Sequence, residues 1–214
     1  LEQSLLDFGI KTLLAYFLGS LLGSLIIGKL RGGVDIRTLG SGNAGGTNAL
    51  RTQGPGFALC VMIIDVGKGW LAAAILPSVP LGIEPTSSIT GWLPISCAAA
   101  VVVGHVYPIW FSFRGGKGAA TLIGVVLGLH TFAAVPTMLV WLCVLLLTGY
   151  VGLATMVAAI AFPIYAYWGL HSDSLFVFGV AMALFVIYTH RANISRMRAG
   201  IENRSNRVWL LRPR

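Results

Sequence analysis

Long apolar runs constrain this chain more than any other feature. Residues 10–30, 57–76 and 93–111 each approach the ~20 residues that a helix needs to cross the hydrocarbon core, and a long, almost uncharged tract follows them. A mean hydropathy of +0.82 with only seven acidic residues in 214 places the chain far from soluble averages. The expectation is an all-α polytopic integral membrane bundle, organised as one membrane-embedded domain over residues 1–214. The first run has the length of a span and no A-x-A cleavage site, so it reads as a span rather than a removed signal peptide.

A net charge of +8 would suggest nucleic acid in a soluble protein. In this chain the basic residues gather in particular inter-span loops, as the positive-inside rule describes, so no nucleic-acid partner is expected. Glu2 and Asp7 precede the first span, whereas Lys29, Arg31, Arg37 and Arg51 follow it. The loop of residues 77–92 holds Glu84 and no Lys or Arg, and the next holds Arg114 and Lys117. Arg191, Arg196, Arg198, Arg204, Arg207, Arg212 and Arg214 follow the last span. This pattern predicts an outside N-terminus and a cytoplasmic C-terminus. Lys117 and Arg191 then share a side, so residues 118–190 must cross an even number of times. Four short crossings fit, with breaks near 131–136, 148–150 and 169–173, giving about seven spans; five plus a re-entrant segment is the alternative. Cys60, Cys97 and Cys143 lie in apolar segments without CxxC spacing, so neither a disulfide framework nor a metal site is indicated.

Three polar segments reach the cytoplasmic side in this topology. The first, GSGNAGGTNALR (residues 40–51), has four glycines and a closing Arg51. Gly40, Gly42 and Gly45 match GxGxxG, but both flanks are span candidates rather than a βαβ unit, so the dinucleotide reading fails. Glycines still let backbone N–H groups approach a phosphate, and Ser41, Asn43, Thr47 and Asn48 add hydroxyls and amides. A flexible loop that merely turns the chain is the competing reading.

In the second segment, GHVYPIWFSFRGGKGAAT (residues 104–121), Gly115, Gly116 and Gly118 flank Lys117 just before the fourth span. Unpaired N–H groups at a helix N-terminus and a cation would point to one place, an anion site; a tight turn with snorkelling basic residues is the plainer reading. His105 lies about 14 Å of helix before Arg114, inside the bundle, where an ionisable side chain is a functional candidate. The third, THRANISRMRAGIE (residues 189–202), places His190, Asn193 and Arg196 at three-residue spacing on one helical face, and Gly200 suits the helix end. The later arginines, from Arg204 on, read as lipid head-group contacts. Asp65 and Lys68, at i, i+3 inside the second span, are expected to pair and brace the bundle. Gly19, Ser20, Gly23 and Ser24 read as close helix packing in the first span.

Together and in this order, SGNAGGTNALR, GHVYPIWFSFRGGKGAAT and THRANISRMRAGIE resemble the bacterial acyl-phosphate:glycerol-3-phosphate acyltransferase family, the PlsY type. Its S-G-N-x-G-A-T-N pattern is met at Ser41, Gly42, Asn43, Gly45, Thr47 and Asn48, with Gly46 for the usual alanine; DVGKG resembles its D-x-x-K-G. In GYVGLAT, Gly149 and Gly152 depart from the family's basic residue and serine, while Thr155 keeps a hydroxyl. The resemblance implies transfer of a fatty acyl group from acyl phosphate to the 1-hydroxyl of glycerol 3-phosphate, giving lysophosphatidic acid and phosphate, without a cofactor and without acyl-CoA. No GxSxG elbow or H-x-x-x-x-D arrangement occurs, in keeping with positioning rather than a covalent acyl-enzyme. The expected roles are Lys117 with the Gly115 and Gly116 amides on one phosphate. Arg51, Ser41, Asn43, Thr47 and Asn48, with Gly42, Gly45, Thr155 and Arg196 nearby, would hold the other. His190 and Asn193 would orient glycerol 3-phosphate. A substrate phosphate oxygen, His105 or His190 would take the proton. A small-anion transporter is the rival class; against it, the polar segments gather at one face and no inverted repeat is visible.

Overall fold

The computed structural model describes residues 2–81, 90–206 and 208–211, and these are helical throughout apart from turns and loops. Glu84, Arg207, Arg212 and Arg214, used above as topological markers, lie outside the described residues. The chain forms two compact units, Leu1–His130 and Thr131–Arg214.

Unit 1 contains α1 (Glu2–Gly19), α2 (Gly23–Leu30), α3 (Gly46–Gln53), α4 (Pro55–Trp70), α5 (Leu93–Val106) and α6 (Ala119–Leu129). Helix α1 runs along α5, and α4 runs along α6. Missing side chains allow both approaches: a methyl at Gly19 would meet the Val101 backbone, one at Gly104 the Tyr16 backbone, and one at Gly124 the Val66 backbone. Small residues at such seams are how helices pack where lipid gives no hydrophobic drive.

The run of residues 10–30, expected as one span, is two helices with a 47° bend between them. A break inside a membrane frees backbone groups that must find partners. Here α4 supplies them. Lys68 Nζ donates to Gly19 O (2.9 Å) and Leu21 O (2.7 Å) at the end of α1, and Gly23 N at the start of α2 donates to Asp65 Oδ1 (3.1 Å). The expected Asp65–Lys68 pair is present at 3.0 Å, with its cation at a helix C-terminus and its anion at a helix N-terminus. A second buried pair was not foreseen. Asp7, read as flanking the first span, sits inside α1 against Lys11 at 3.0 Å, and Lys11 Nζ also donates to Pro77 O. Each charge is tolerable in an apolar helix because the other neutralises it one turn away.

Unit 2 contains α7 (Ala134–Thr148), α8 (Val151–Trp168), α9 (Asp173–Thr189) and α10 (Arg191–Arg198), with α8 packed between α7 and α9. The boundaries around Thr131–Ala133, Gly149 and Ser172 fall where Gly, Thr and Pro predicted breaks. The span count does not carry over unchanged. Among the described residues, four helices are long and apolar enough to cross a membrane, or up to six if each bent pair is one span. The first of the four crossings expected between Lys117 and Arg191 is α6, whose 11 residues reach only about 16 Å. The chain is a multi-pass membrane protein.

Candidate active site

The first polar segment is fastened to unit 1 by its few apolar residues. Ile36 and Ala49 are buried with Phe57 and Val61 of α4, and Ala44 is buried with Leu22, just before α2, and Leu25 of α2. Asn48 then organises the turn from beneath. It is 2% exposed; its Oδ1 accepts from Ser41 N (2.9 Å) and its Nδ2 donates to Ile36 O (2.9 Å) and Leu39 O (3.0 Å). With both ends of the amide engaged and buried, Asn48 is a brace for the loop and not a phosphate ligand as expected. Gly40 and Gly42 take positive φ (56° and 70°), the conformation their lack of a Cβ permits. Gly45 caps α3, and Thr47 and Arg51, one turn apart, both face out. Ser41 is exposed and Asn43 half-buried.

Arg37 joins this segment to the second. Its guanidinium grips Asp35 (Nη2–Oδ2 2.7 Å, Nε–Oδ1 3.0 Å) and donates through Nη1 to Phe111 O (3.2 Å) and Arg114 O (3.0 Å). That hydrogen bonding holds the Asp35 carboxyl below its ordinary pKa and raises that of Arg37. Sequence reading used Arg37 only as a topological marker.

The second segment departs from expectation. Helix α5 ends at Val106, so no continuous helix runs from His105 to Arg114. The chain doubles back: Gly115 N donates to Val106 O and Gly116 N to His105 O, both at 3.1 Å. These two amides are therefore spoken for within the protein, which overturns their expected role as phosphate donors. The glycines serve proximity instead, because a methyl at either would overlap His105. Lys117 follows, half-buried, one residue before Gly118 caps α6 with φ +85°. His105 is 2% exposed, with Nδ1 2.9 Å from Lys68 Nζ and 3.6 Å from Asp65 Oδ1.

In unit 2, His190 is the joint between α9 and α10, which meet at 54°, so the third segment is not the straight continuation of a span. Its Nδ1 lies 2.8 Å from Val186 O, which makes that nitrogen the donor. Asn193 is buried and donates to Glu202 Oε1 (2.8 Å), while Arg196 Nε donates to Glu202 Oε2 (2.6 Å). Gly200, at φ +71°, turns the chain so that Glu202 comes back to them. Glu202 had been given no role; an acid just past a helix-ending glycine was the available signal. Gly152 gives Asn193 its seat, since a methyl there would lie 2.9 Å from Nδ2. Thr155 donates its hydroxyl to Val151 O (2.9 Å) and accepts from Trp141 Nε1 (3.2 Å), so it links α7 to α8 and has no hydrogen left for a phosphate. Arg204, read as a head-group contact, stacks on Tyr150 (4.5 Å) and Trp209 (4.1 Å).

The sequence pattern of the glycerol-3-phosphate acyltransferase family matches residues 10–200. Glycerol-3-phosphate acyltransferase of Chlorobaculum tepidum is 37% identical over 89% of this chain and 93% of its own length. That of Thermosynechococcus vestitus is 39% identical over 92% and 94%. The chain belongs to this family. It is therefore an acyltransferase. The crystal structure of PlsY (YgiH), an integral membrane glycerol 3-phosphate acyltransferase, superposes in its glycerol 3-phosphate form with a TM-score of 0.80, at 33% identity over 92% of this chain and 94% of that one. The lysophosphatidic acid form gives 0.81 at 32% identity over 94% and 97%. Family membership and fold thus agree with the resemblance carried by the three polar segments.

Proposed function

We propose that the chain transfers a fatty acyl group from acyl phosphate to the 1-hydroxyl of glycerol 3-phosphate, releasing lysophosphatidic acid and phosphate as the first acylation of phospholipid synthesis. The observation that carries this reading is the Arg37 bridge: it ties the Ser41–Thr47–Arg51 loop to the Lys117 loop at one end of unit 1, so two cationic, glycine-shaped segments serve phosphates together. Both substrates are phosphates. The solved relatives bind glycerol 3-phosphate and lysophosphatidic acid, which are the acceptor and product of this reaction.

In this reading residues 1–214 act as one catalytic domain in a bacterial inner membrane, with the N-terminus outside and the site on the cytoplasmic side. Lys117 and Arg51 neutralise the phosphates, and Ser41, Asn43 and Thr47 add hydrogen bonds. His190, Asn193 and the part of Arg196 not bound to Glu202 orient glycerol 3-phosphate. An acyl phosphate is already activated, so attack geometry and oxyanion stabilisation supply most of the rate without an acyl-enzyme. The hydroxyl proton passes to a substrate phosphate oxygen or to Nε2 of His190, since Nδ1 of that ring is engaged with Val186 O.

Purified protein in detergent should release phosphate from acyl phosphate only when glycerol 3-phosphate is present, with no vesicle or gradient, and acyl-CoA should not replace the donor. Turnover with acyl-CoA alone would overturn the donor, and absence of turnover in detergent would favour the transporter. Accessibility labels at Asn43, Lys117 and Asn193 should all react from the cytoplasmic side.

A further inference from the structure

His105 is the fully buried histidine of unit 1, and its surroundings fix what it can do. Lys68 Nζ is enclosed by Gly19 O, Leu21 O and Asp65 Oδ1, acceptors all, so it is the donor of the group. His105 Nδ1 faces this pair, 2.9 Å from Lys68 Nζ and 3.6 Å from Asp65 Oδ1, so that nitrogen is taken up by the pair whichever tautomer the ring adopts. With Nδ1 turned to this buried pair and Nε2 turned to Gly116, neither ring nitrogen is open to substrate. Its other contacts lead to the Lys117 loop: His105 O accepts from Gly116 N at 3.1 Å. The Nε2 edge of the ring lies against Gly116 so closely that a methyl there would meet Nε2, Cε1 and Cδ2.

We propose that His105, locked by Lys68 and Asp65, is a positioning residue that seats Gly116 and thereby Lys117, and is not the base of the reaction. The pair that closes the break between α1 and α2 thus also sets the height of the loop carrying the cation. Asp65, Lys68 and His105 form one continuous brace from the broken span to the Lys117 loop. This inference rests on the reading of Lys117 as a phosphate-binding cation.

The test is a cycle of His105→Asn, Gly116→Ala and the double variant. Asn keeps an acceptor for Lys68 but lacks the Nε2 and Cε1 atoms that the methyl would meet. Acyl transfer is measured between about pH 5 and pH 9, and melting temperature in detergent is recorded for each variant. His105→Asn should lose about tenfold in kcat/KM, chiefly through KM, with the shape of the pH profile unchanged. The double variant should be no worse than Gly116→Ala alone in both activity and melting temperature. A loss of roughly a hundredfold or more in kcat with disappearance of the acid limb would make His105 the base and overturn the proposal. Losses that simply multiply in the double variant would also overturn it. A parental protein that is inert towards acyl phosphate would sink the proposed reaction instead; the melting temperatures would still report whether positions 105 and 116 are coupled.

Discussion

The two glycine-rich segments of unit 1 use the same residue for different reasons. In the first, Gly40 and Gly42 take positive φ, and a methyl at Gly42 would have its nearest neighbour, Arg37 O, at 3.4 Å. In the second, a methyl at Gly115 or Gly116 would overlap the His105 backbone or ring. One set of glycines shapes a loop whose exposed side chains are the ones proposed to bind. The other draws a loop against a helix end so that one cation stands in a set place. A glycine cluster before a helix is thus no evidence that its own amides are open to a phosphate.

The largest effect should come from what lies beneath the first loop. Asn48→Ala strands Ser41 N–H and the Ile36 and Leu39 carbonyls, and a buried group left without a partner costs about 1–3 kcal/mol. Some of these will find water, so a net loss of about 3 kcal/mol is expected by thermal unfolding in detergent, with activity falling alongside. If activity fell while stability stayed at the parental value, Asn48 would return to the list of substrate ligands.

Next are the glycines themselves. Gly115→Ala forces backbone apart and should cost about 2–3 kcal/mol, whereas Gly42→Ala meets only the strain of a positive φ, about 1 kcal/mol. Equal losses in the two variants would erase the distinction drawn between the loops. The third comparison removes charge instead of space. Lys117→Ala and Arg51→Ala should each lower kcat/KM about tenfold or more. Parental turnover in either variant would remove that residue from the site.

Much of this arrangement was legible in the sequence because it is written locally. The breaks after α6, α7 and α8 sit at Thr131, Gly149 and the Gly169–Ser172 stretch, and the i, i+3 spacing of Asp65 and Lys68 was enough to predict their pairing. What was not legible depends on distant partners. Residues 19–24 are small or apolar, so hydropathy sees an unbroken span; the break is sustained by Asp65 and Lys68, which lie 42 and 49 residues from the groups they bind, Gly23 N and Gly19 O. Likewise GGKG before an apolar run reads as open amides at a helix start, and only the fold reveals that Gly115 and Gly116 turn theirs towards α5. Glu202 was hidden for the same reason: nothing next to it in sequence states that Gly200 returns it to Asn193 and Arg196.

The smallest effect expected is the most informative about how the two loops are joined. Asp35 is held below its ordinary value of 3.8 chiefly by the hydrogen bond from Arg37. A carboxyl whose folded pKa is depressed contributes stability above its unfolded pKa and loses it as pH falls through the folded value, so the window lies below pH 3.8. The carboxyl side chain is 37% exposed, so the pair itself is worth no more than about 1 kcal/mol. Its protonation should nevertheless release the guanidinium that also holds Phe111 O and Arg114 O. Amide hydrogen exchange, corrected for the intrinsic rate, should therefore quicken at Phe111, Phe113 and Arg114 on acidification below pH 3.8, ahead of the helices. Arg37→Lys should show that faster exchange already at neutral pH, because an ammonium cannot grip the carboxylate and reach two carbonyls with the same planar fork. If exchange at Phe111 to Arg114 ignored both the acid and the substitution, Arg37 would not be the tie between the loops, and the binding loop and the Lys117 loop would have to be positioned independently.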